Sequence, residues 1–420
     1  MIIRNYIECP ACQAASILRV GIARERQLVT VSCPTCRSAI RGETYEASDG
    51  LPRISLPGVT LIDPERADAE WHTVTTYGDL PSDPASGEFS SFLAASQLFG
   101  DYFTRYMQCL SIVRWFGDRI DPLEHAYGFY LGEKWDLLDS VMKRNFEEVW
   151  PDNPSALDRH TALHRILYML VSSIDPDGAY PKSKRDAWSR TFKKEAEFAK
   201  CAHSIITKPE FIAVNKRASE QFLNLLRSNQ EWTPALTVVH LRAIGSPIPQ
   251  GWQFPAGRID SLRDAYRQNF EVSCQILPLV IRMQNIAEGR DSEIIRDPAD
   301  AQGWAPGALN PRDQVNNLNQ YTKSRAATKE AYLDRHTLLR YYWNGAFNRD
   351  VRNSIAHAEF DYTMHDGMIS YKGREVPYYT FTEALIKQIS LLAFWLDLCK
   401  LFKIYGSRWD PENEKFLGLN

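Results

Sequence analysis

The sequence predicts a mainly α-helical protein preceded by a small β module, and three observations carry that reading. Apolar and aromatic residues recur at helical spacing from Ser91 almost to the C-terminus. Two Cys-x-x-Cys pairs near the N-terminus sit among short β-type runs. A hydrophobic content of 44% over 420 residues is ample for two or three packed domains.

The β module comes first. Cys9-Pro10-Ala11-Cys12 and Cys33-Pro34-Thr35-Cys36 form two knuckles, and the proline after each first cysteine favours a tight turn. Four thiolates presented this way suit tetrahedral zinc, and the spacing is that of a zinc ribbon over residues 1–45. Ser16–Val20 and Leu28–Val31 are the expected hairpin strands. Zinc is expected here as a structural cofactor. The other four cysteines, Cys109, Cys201, Cys274 and Cys399, are scattered through apolar helical contexts. Arg4, Arg19, Arg24, Arg26, Arg37 and Arg41 give the ribbon a basic cast that suits contact with nucleic acid. The alternatives are a ribbon that binds protein and a metal that only staples a module too small for a core.

Residues 46–90 are rich in Pro, Gly, Ser and Asp and read as a linker. A helical middle domain follows over 91–245. Phe92, Phe99, Tyr102, Tyr106, Leu110 and Val113 form its first stripe, and such stripes belong in a core before they belong on a base-stacking surface. Helices are expected at 132–149, 156–173, 185–206 and 209–228, and no catalytic motif falls among them. Gly245-Ser246-Pro247 breaks the pattern. Beyond it, a long helix is expected from Arg258 to Ala287, then a break at Gly303–Gly307 and a helix from Arg335 to Phe347 with Asp334 as its N-cap. A hairpin around His365-Asp366-Gly367 and a long apolar helix from about Glu383 to Tyr405 complete this C-terminal block; residues 406–420 are a tail.

Chemistry concentrates in Val351-Arg352-Asn353-Ser354-Ile355-Ala356-His357. Arginine keeps its charge and can fork onto phosphate oxygens, while histidine exchanges a proton near neutrality. On a continuous helix, residues five apart point about 140° apart, whereas Asn353 and His357 share a face. Arg352 must therefore reach around, or the helix must be irregular there. In a purely structural alternative, Arg352 binds a carboxylate such as Asp350 or Glu359 while His357 caps or packs. A second Arg-x4-His, Arg159 to His164, lies in a helix with no hairpin after it, and coincidence accounts for it better than a tandem site.

Helix, Arg-Asn-x-x-Ala-His, hairpin and long helix over residues 255–405 resemble the HEPN ribonucleases found among bacterial toxins and antiphage proteins. The resemblance implies metal-independent cleavage of RNA, with Arg352 on the scissile phosphate, His357 in proton transfer and Asn353 orienting the histidine or touching substrate. It also implies a homodimer, in which two motifs share one cleft, and an activity held off until a protein or nucleic-acid trigger arrives. One family variant carries tyrosine where this chain has Glu359, so that variant's particular chemistry does not transfer. The alternative from another class is a catalytically silent HEPN-like dimeric scaffold whose ribbon binds nucleic acid or a protein.

A net charge of −3 provides no global field for nucleic acid, so any such surface must be local. No apolar run reaches the roughly 20 residues needed to span a bilayer, and no secretory leader is visible. Cytoplasmic residence is the expectation. Walker loops, dinucleotide fingerprints, zinc-protease motifs and Gly-x-Ser-x-Gly elbows are missing from the sequence.

Overall fold

The computed structural model describes residues 2–24, 26–65, 72–77, 79–81, 91–176, 194–249, 252, 254, 259–295, 315–333, 343–363 and 367–418. The fold is mainly α with a β N-terminus, as the sequence predicts. By compactness the chain forms two units, each assembled from three stretches. One comprises Met1–Gly117, Arg227–Asp264 and Arg349–Ile386. The other comprises Asp118–Leu226, Ala265–Asn348 and Lys387–Asn420.

The first unit begins with β1 (Ile2–Glu8), β2 (Ala15–Gly21), β3 (Leu28–Ser32) and β4 (Ala39–Glu46). Three more strands come from the stretch read as a linker: β5 (Pro52–Ser55), β6 (Thr60–Leu61) and β7 (His72–Tyr77). Its prolines and glycines punctuate short strands. The strands form two sheets, β6-β1-β2-β7 and β3-β4-β5. Strand β7 runs parallel to β2, with Ile17 opposite Thr73 and Arg19 opposite Thr75. Alternation sends Ile7, Leu18, Val20, Val29, Val31 and Ile40 inward, together with Cys9 and Cys33.

Helices α1 (Ser91–Phe99) and α2 (Phe103–Asp118) follow, split by a 3-10 turn at Gly100–Tyr102. Phe99 stacks on Tyr106 at 4.3 Å, and the Tyr106 hydroxyl meets Thr237 Oγ1 at 2.7 Å. These rings are core, as their spacing predicts. Short α8 (Asn229–Trp232) and α9 (Leu236–Ala243), which the sequence does not announce, belong to the same unit. So do α13 (Arg349–Ala356) and the meander β8 (Phe360–Thr363), β9 (Met368–Tyr371) and β10 (Arg374–Pro377). The expected hairpin is therefore present, extended by a third strand; residues 364–366 of its turn lie outside the described residues. Lys372 and Gly373 both have positive φ, which joins β9 to β10 through a tight type I′ turn.

Among its described residues the second unit is helical apart from an isolated Ile294–Asn317 bridge and a small C-terminal hairpin. It holds α3 (Ile120–Leu131), α4 (Trp135–Asn145), α5 (Ala156–Ile174), α6 (Glu195–Ile206) and α7 (Pro209–Arg227). Ser155 and Asp158 form a capping box at the start of α5. Most of α10 (Ile259–Ala287) and of α14 (Tyr378–Ser407) belongs here, with α11 (Leu318–Lys323) and α12 (Ala326–Leu333) between them in sequence. In the core, Asn269 donates to Gln388, which donates to the Ala346 carbonyl, and Trp395 donates to Ser273. At Gly406 a Cβ would come within 2.9 Å of the Ala202 backbone, so α14 and α6 meet at glycine for want of any other room. The tail folds back as β11 (Trp409–Asp410) and β12 (Lys415–Phe416), with Phe416 stacked on Tyr405.

The break expected at Gly303–Gly307 and the first half of the helix expected from Arg335 lie outside the described residues, as do residues 185–193 of the helix expected over 185–206. Among the described residues no helix is long and apolar enough to cross a membrane.

Candidate functional site

The two knuckles are built alike. Each begins where a strand ends and returns directly into its antiparallel partner. The Cys9 N–H donates to the Ala14 carbonyl and the Cys33 N–H to that of Ser38; Gln13 and Arg37 donate back to the carbonyls of Cys9 and Cys33. Gln13 and Arg37, each just after the second cysteine of its pair, take left-handed φ values of 61° and 64°. That twist turns the chain sharply enough to aim both sulfurs of a pair at one point.

The four sulfurs lie within 4.8 Å of one another. Cys9 Sγ is 3.6 Å from Cys36 Sγ, and Cys12 Sγ is 3.7 Å from Cys33 Sγ. Zinc bound to sulfur at about 2.3 Å in a tetrahedron requires sulfur–sulfur edges of about 3.8 Å, whereas a disulfide is about 2.05 Å long. The donor set therefore fits a metal ion, and with four protein ligands it fits a closed, structural one. Cys9 and Cys33 are buried while Cys12 and Cys36 are exposed. Burial pushes the Cys9 thiol up, and the Ser38 hydroxyl beside Cys36, at 3.2 Å, draws that thiol down to about 6. Elsewhere, burial raises Cys109 and Cys399 to about 12, which keeps them inert thiols.

The ribbon is held within its unit by residues that carry no sequence motif. Asp79, 1% exposed, accepts Arg24 through Nη2 at 2.8 Å and Arg114 through Nε at 2.5 Å. Arg24 also donates to Asn229, and the Leu28 N–H donates to Gln230. Arg26 forks onto Glu43. Two of the six arginines read as a nucleic-acid surface are thus committed to carboxylates.

The Arg352 motif straddles a helix end. Arg352 and Asn353 are inside α13, partly exposed, and Arg352 Nη1 donates to Asn353 Oδ1 at 3.2 Å. His357 lies one residue beyond the helix and is exposed; its N–H donates to the Asn353 carbonyl. Ala358 then takes φ 56°, its N–H reaching Ile355 and that of Glu359 reaching Ser354. This is a Schellman stop with alanine where glycine is usual. The helical bonding runs on to His357 and the irregularity comes only after it, at Ala358, so the stop does not bring Arg352 and His357 onto one face; His357 stands at the negative end of the helix dipole. Asp350 is occupied by Lys372 at 2.8 Å, with Arg374 at 3.9 Å, which ties the meander to the motif helix. That lysine bond, with the charges around it, holds the Asp350 carboxyl below its usual range.

The other Arg-x4-His is structural. Arg159 forks onto Asp139 at 2.6 Å and 3.0 Å. His164 is buried, its ring nitrogens against the backbone carbonyls of His160 and Leu396.

No family model, curated protein or solved structure matches this chain.

Proposed function

We propose that the protein is a metal-independent endoribonuclease of HEPN type, used in antiphage defence or toxin-type growth arrest, with a structural zinc ion in its ribbon. The observation that carries this reading is the helix end at Arg352–His357. A guanidinium bonded to Asn353 and an exposed imidazole stand in the last turns and at the end of one short helix, beside a hairpin tied to the same helix. Arg352 holds a phosphodiester oxygen and neutralises charge that builds on phosphorus. His357 takes the proton from the 2′-hydroxyl as that oxygen attacks phosphorus. The 5′-oxygen leaves with a proton, and the products are a 2′,3′-cyclic phosphate and a 5′-hydroxyl end. A proton acceptor and a proton donor are both needed, so a second copy of the motif from a homodimer partner completes the site. Asn353 acts on Arg352 rather than on the imidazole.

Cys9, Cys12, Cys33 and Cys36 hold the zinc, which supplies fold stability and no chemistry. The Arg352–Asn353 bond also favours the second reading, a silent scaffold, because it gives the arginine a purely structural partner. Purified protein incubated with total RNA and a brief EDTA treatment separates the two. The ribonuclease reading expects cleavage by the parent and none by His357→Ala or Arg352→Lys, since lysine keeps the charge but loses the planar fork. Equal cleavage by all three, or cleavage that needs added magnesium, overturns it.

A further inference from the structure

We infer that Lys372 and Arg374, at the turn between β9 and β10, form a second phosphate-binding site that grips the backbone of single-stranded RNA beside the bond to be cut. The inference rests on the ribonuclease reading for its choice of RNA. Asp350 and His357 share a face of the motif helix, about 20° apart around its axis and about 10 Å apart along it. Arg352 springs from a point about 140° around the axis from His357. The cations set against the histidine's own face come instead from the meander. Lys372 Nζ stands 2.8 Å from the Asp350 carboxylate, and Arg374 Nη1 stands 3.9 Å from it.

Asp350 does not satisfy both. The lysine takes the hydrogen bond, and 3.9 Å is too long for one from the arginine. The Arg374 side chain makes no hydrogen bond among the described residues and is 66% exposed, so its fork of N–H donors stays open. Lys372 first, then Arg374 and Arg349, hold the Asp350 carboxyl below its usual range, so three cations crowd one carboxylate. Tying the meander to α13 needs only the lysine bond; a long, exposed second pair adds little to it.

Alternation keeps the acids of these strands off this side. Asp361, Ser370 and Glu375 make one row across the meander, while Phe360, Tyr371 and Arg374 make the next row, on the opposite face. Phe360 and Tyr371 are buried there, and Arg374 stands at the open edge, on β10. An arginine and a lysine on either side of Gly373 suit a phosphodiester: the guanidinium forks onto two non-bridging oxygens and the ammonium adds a point charge. Lying about 10 Å along the helix from His357, the phosphate held here belongs to a neighbouring nucleotide of a strand that tracks the positive surface.

The test uses full-length, zinc-loaded His357→Ala protein, which does not cleave on this reading, and a fluorescein-labelled oligouridine followed by anisotropy over a range of salt. Arg374→Ala should weaken binding about tenfold and make the salt dependence shallower by about 0.7 in log–log slope, the share of one phosphate. Its melting temperature should match the parent's, because the side chain removed is exposed and holds no hydrogen bond. Lys372→Gln should also weaken binding, but it strips Asp350 of its partner, so Arg374→Ala is the deciding variant. Lys216→Glu, a charge reversal on α7, should bind as the parent does, which separates a local site from a change in net charge. Unchanged affinity and slope in Arg374→Ala overturn the inference, as do an equal loss in Lys216→Glu and tighter binding of polyglutamate than of RNA. Because binding is read without cleavage, this failure is distinct from failure of the ribonuclease reading, which shows only in the cleavage assay.

Discussion

Glu359 donates its backbone N–H to the carbonyl of Ser354 at 2.8 Å, closing the stop that ends helix α13 just after His357. His357, its own N–H bonded to the Asn353 carbonyl in the helical pattern, keeps its place about 140° around the axis from Arg352, and the stop turns the chain away only after it.

The alanine at the centre of that stop makes it improvable. Ala358 holds a φ of 56°, where a Cβ costs roughly 1 kcal/mol that glycine avoids. Ala358→Gly should raise stability by about that amount, and Ala358→Val should lower it by more. Urea titration of the two variants checks both signs.

The carboxylate of Asp79 serves two guanidiniums in a nearly sealed setting. Removing it leaves Arg24 and Arg114 facing each other with little water, so Asp79→Ala should cost roughly 3–5 kcal/mol. Protease digestion should show the damage first in the ribbon. Stability equal to the parent's would mean that the network contributes nothing.

Histidine 160 predicts a pH dependence. Burial, with Lys403 nearby, lowers its pKa to about 4. Between its unfolded value near 6.5 and 4, the unfolded chain binds more protons than the folded one. Stability should therefore fall as pH drops through that window, by on the order of 2–3 kcal/mol in total. His160→Gln should flatten the corresponding part of the melting-temperature profile. A profile identical to the parent's would assign the acid sensitivity elsewhere.

Metal removal gives the sharpest local effect. If the four sulfurs hold zinc, protein prepared without chelator should carry about one equivalent, and Cys33→Ser should carry none. Hydrogen exchange in Cys33→Ser should rise over β1 to β4 and stay at parental levels in α5 and α14. A metal-free parent protein would defeat the assignment.

The cysteine centre was fully legible because its geometry is written in local spacing: each Cys-x-x-Cys makes its own turn, and only the meeting of two turns is long-range. The long amphipathic helices were legible for a similar reason, since a helix's pattern needs no partner to be recognised. Strand β7 was not, because its role is to pair in parallel with β2, some 55 residues earlier, and no local signal announces such a partner. Helix α9 carries Thr237, Val238 and Val239, which favour strands; tertiary burial overrides that preference. The Arg352 motif was legible as residue types, but the stop at Ala358 was not, since neither glycine nor asparagine marks it. Asp79 and Asn229 meet on Arg24 from far apart in the chain and carry no motif at all.

The interleaving of the two compact units has a consequence for synthesis. The unit that carries Arg352 runs to Ile386, yet its first strand begins at Ile2. On the ribosome, the early strands and cysteines must wait for most of these residues before their unit can close. Folding domain by domain, which vectorial synthesis normally permits, is denied to this chain. A translation product cut short before α13 would lack the helix stop at His357. On the ribonuclease reading, such an incomplete copy could not damage the cell that was making it.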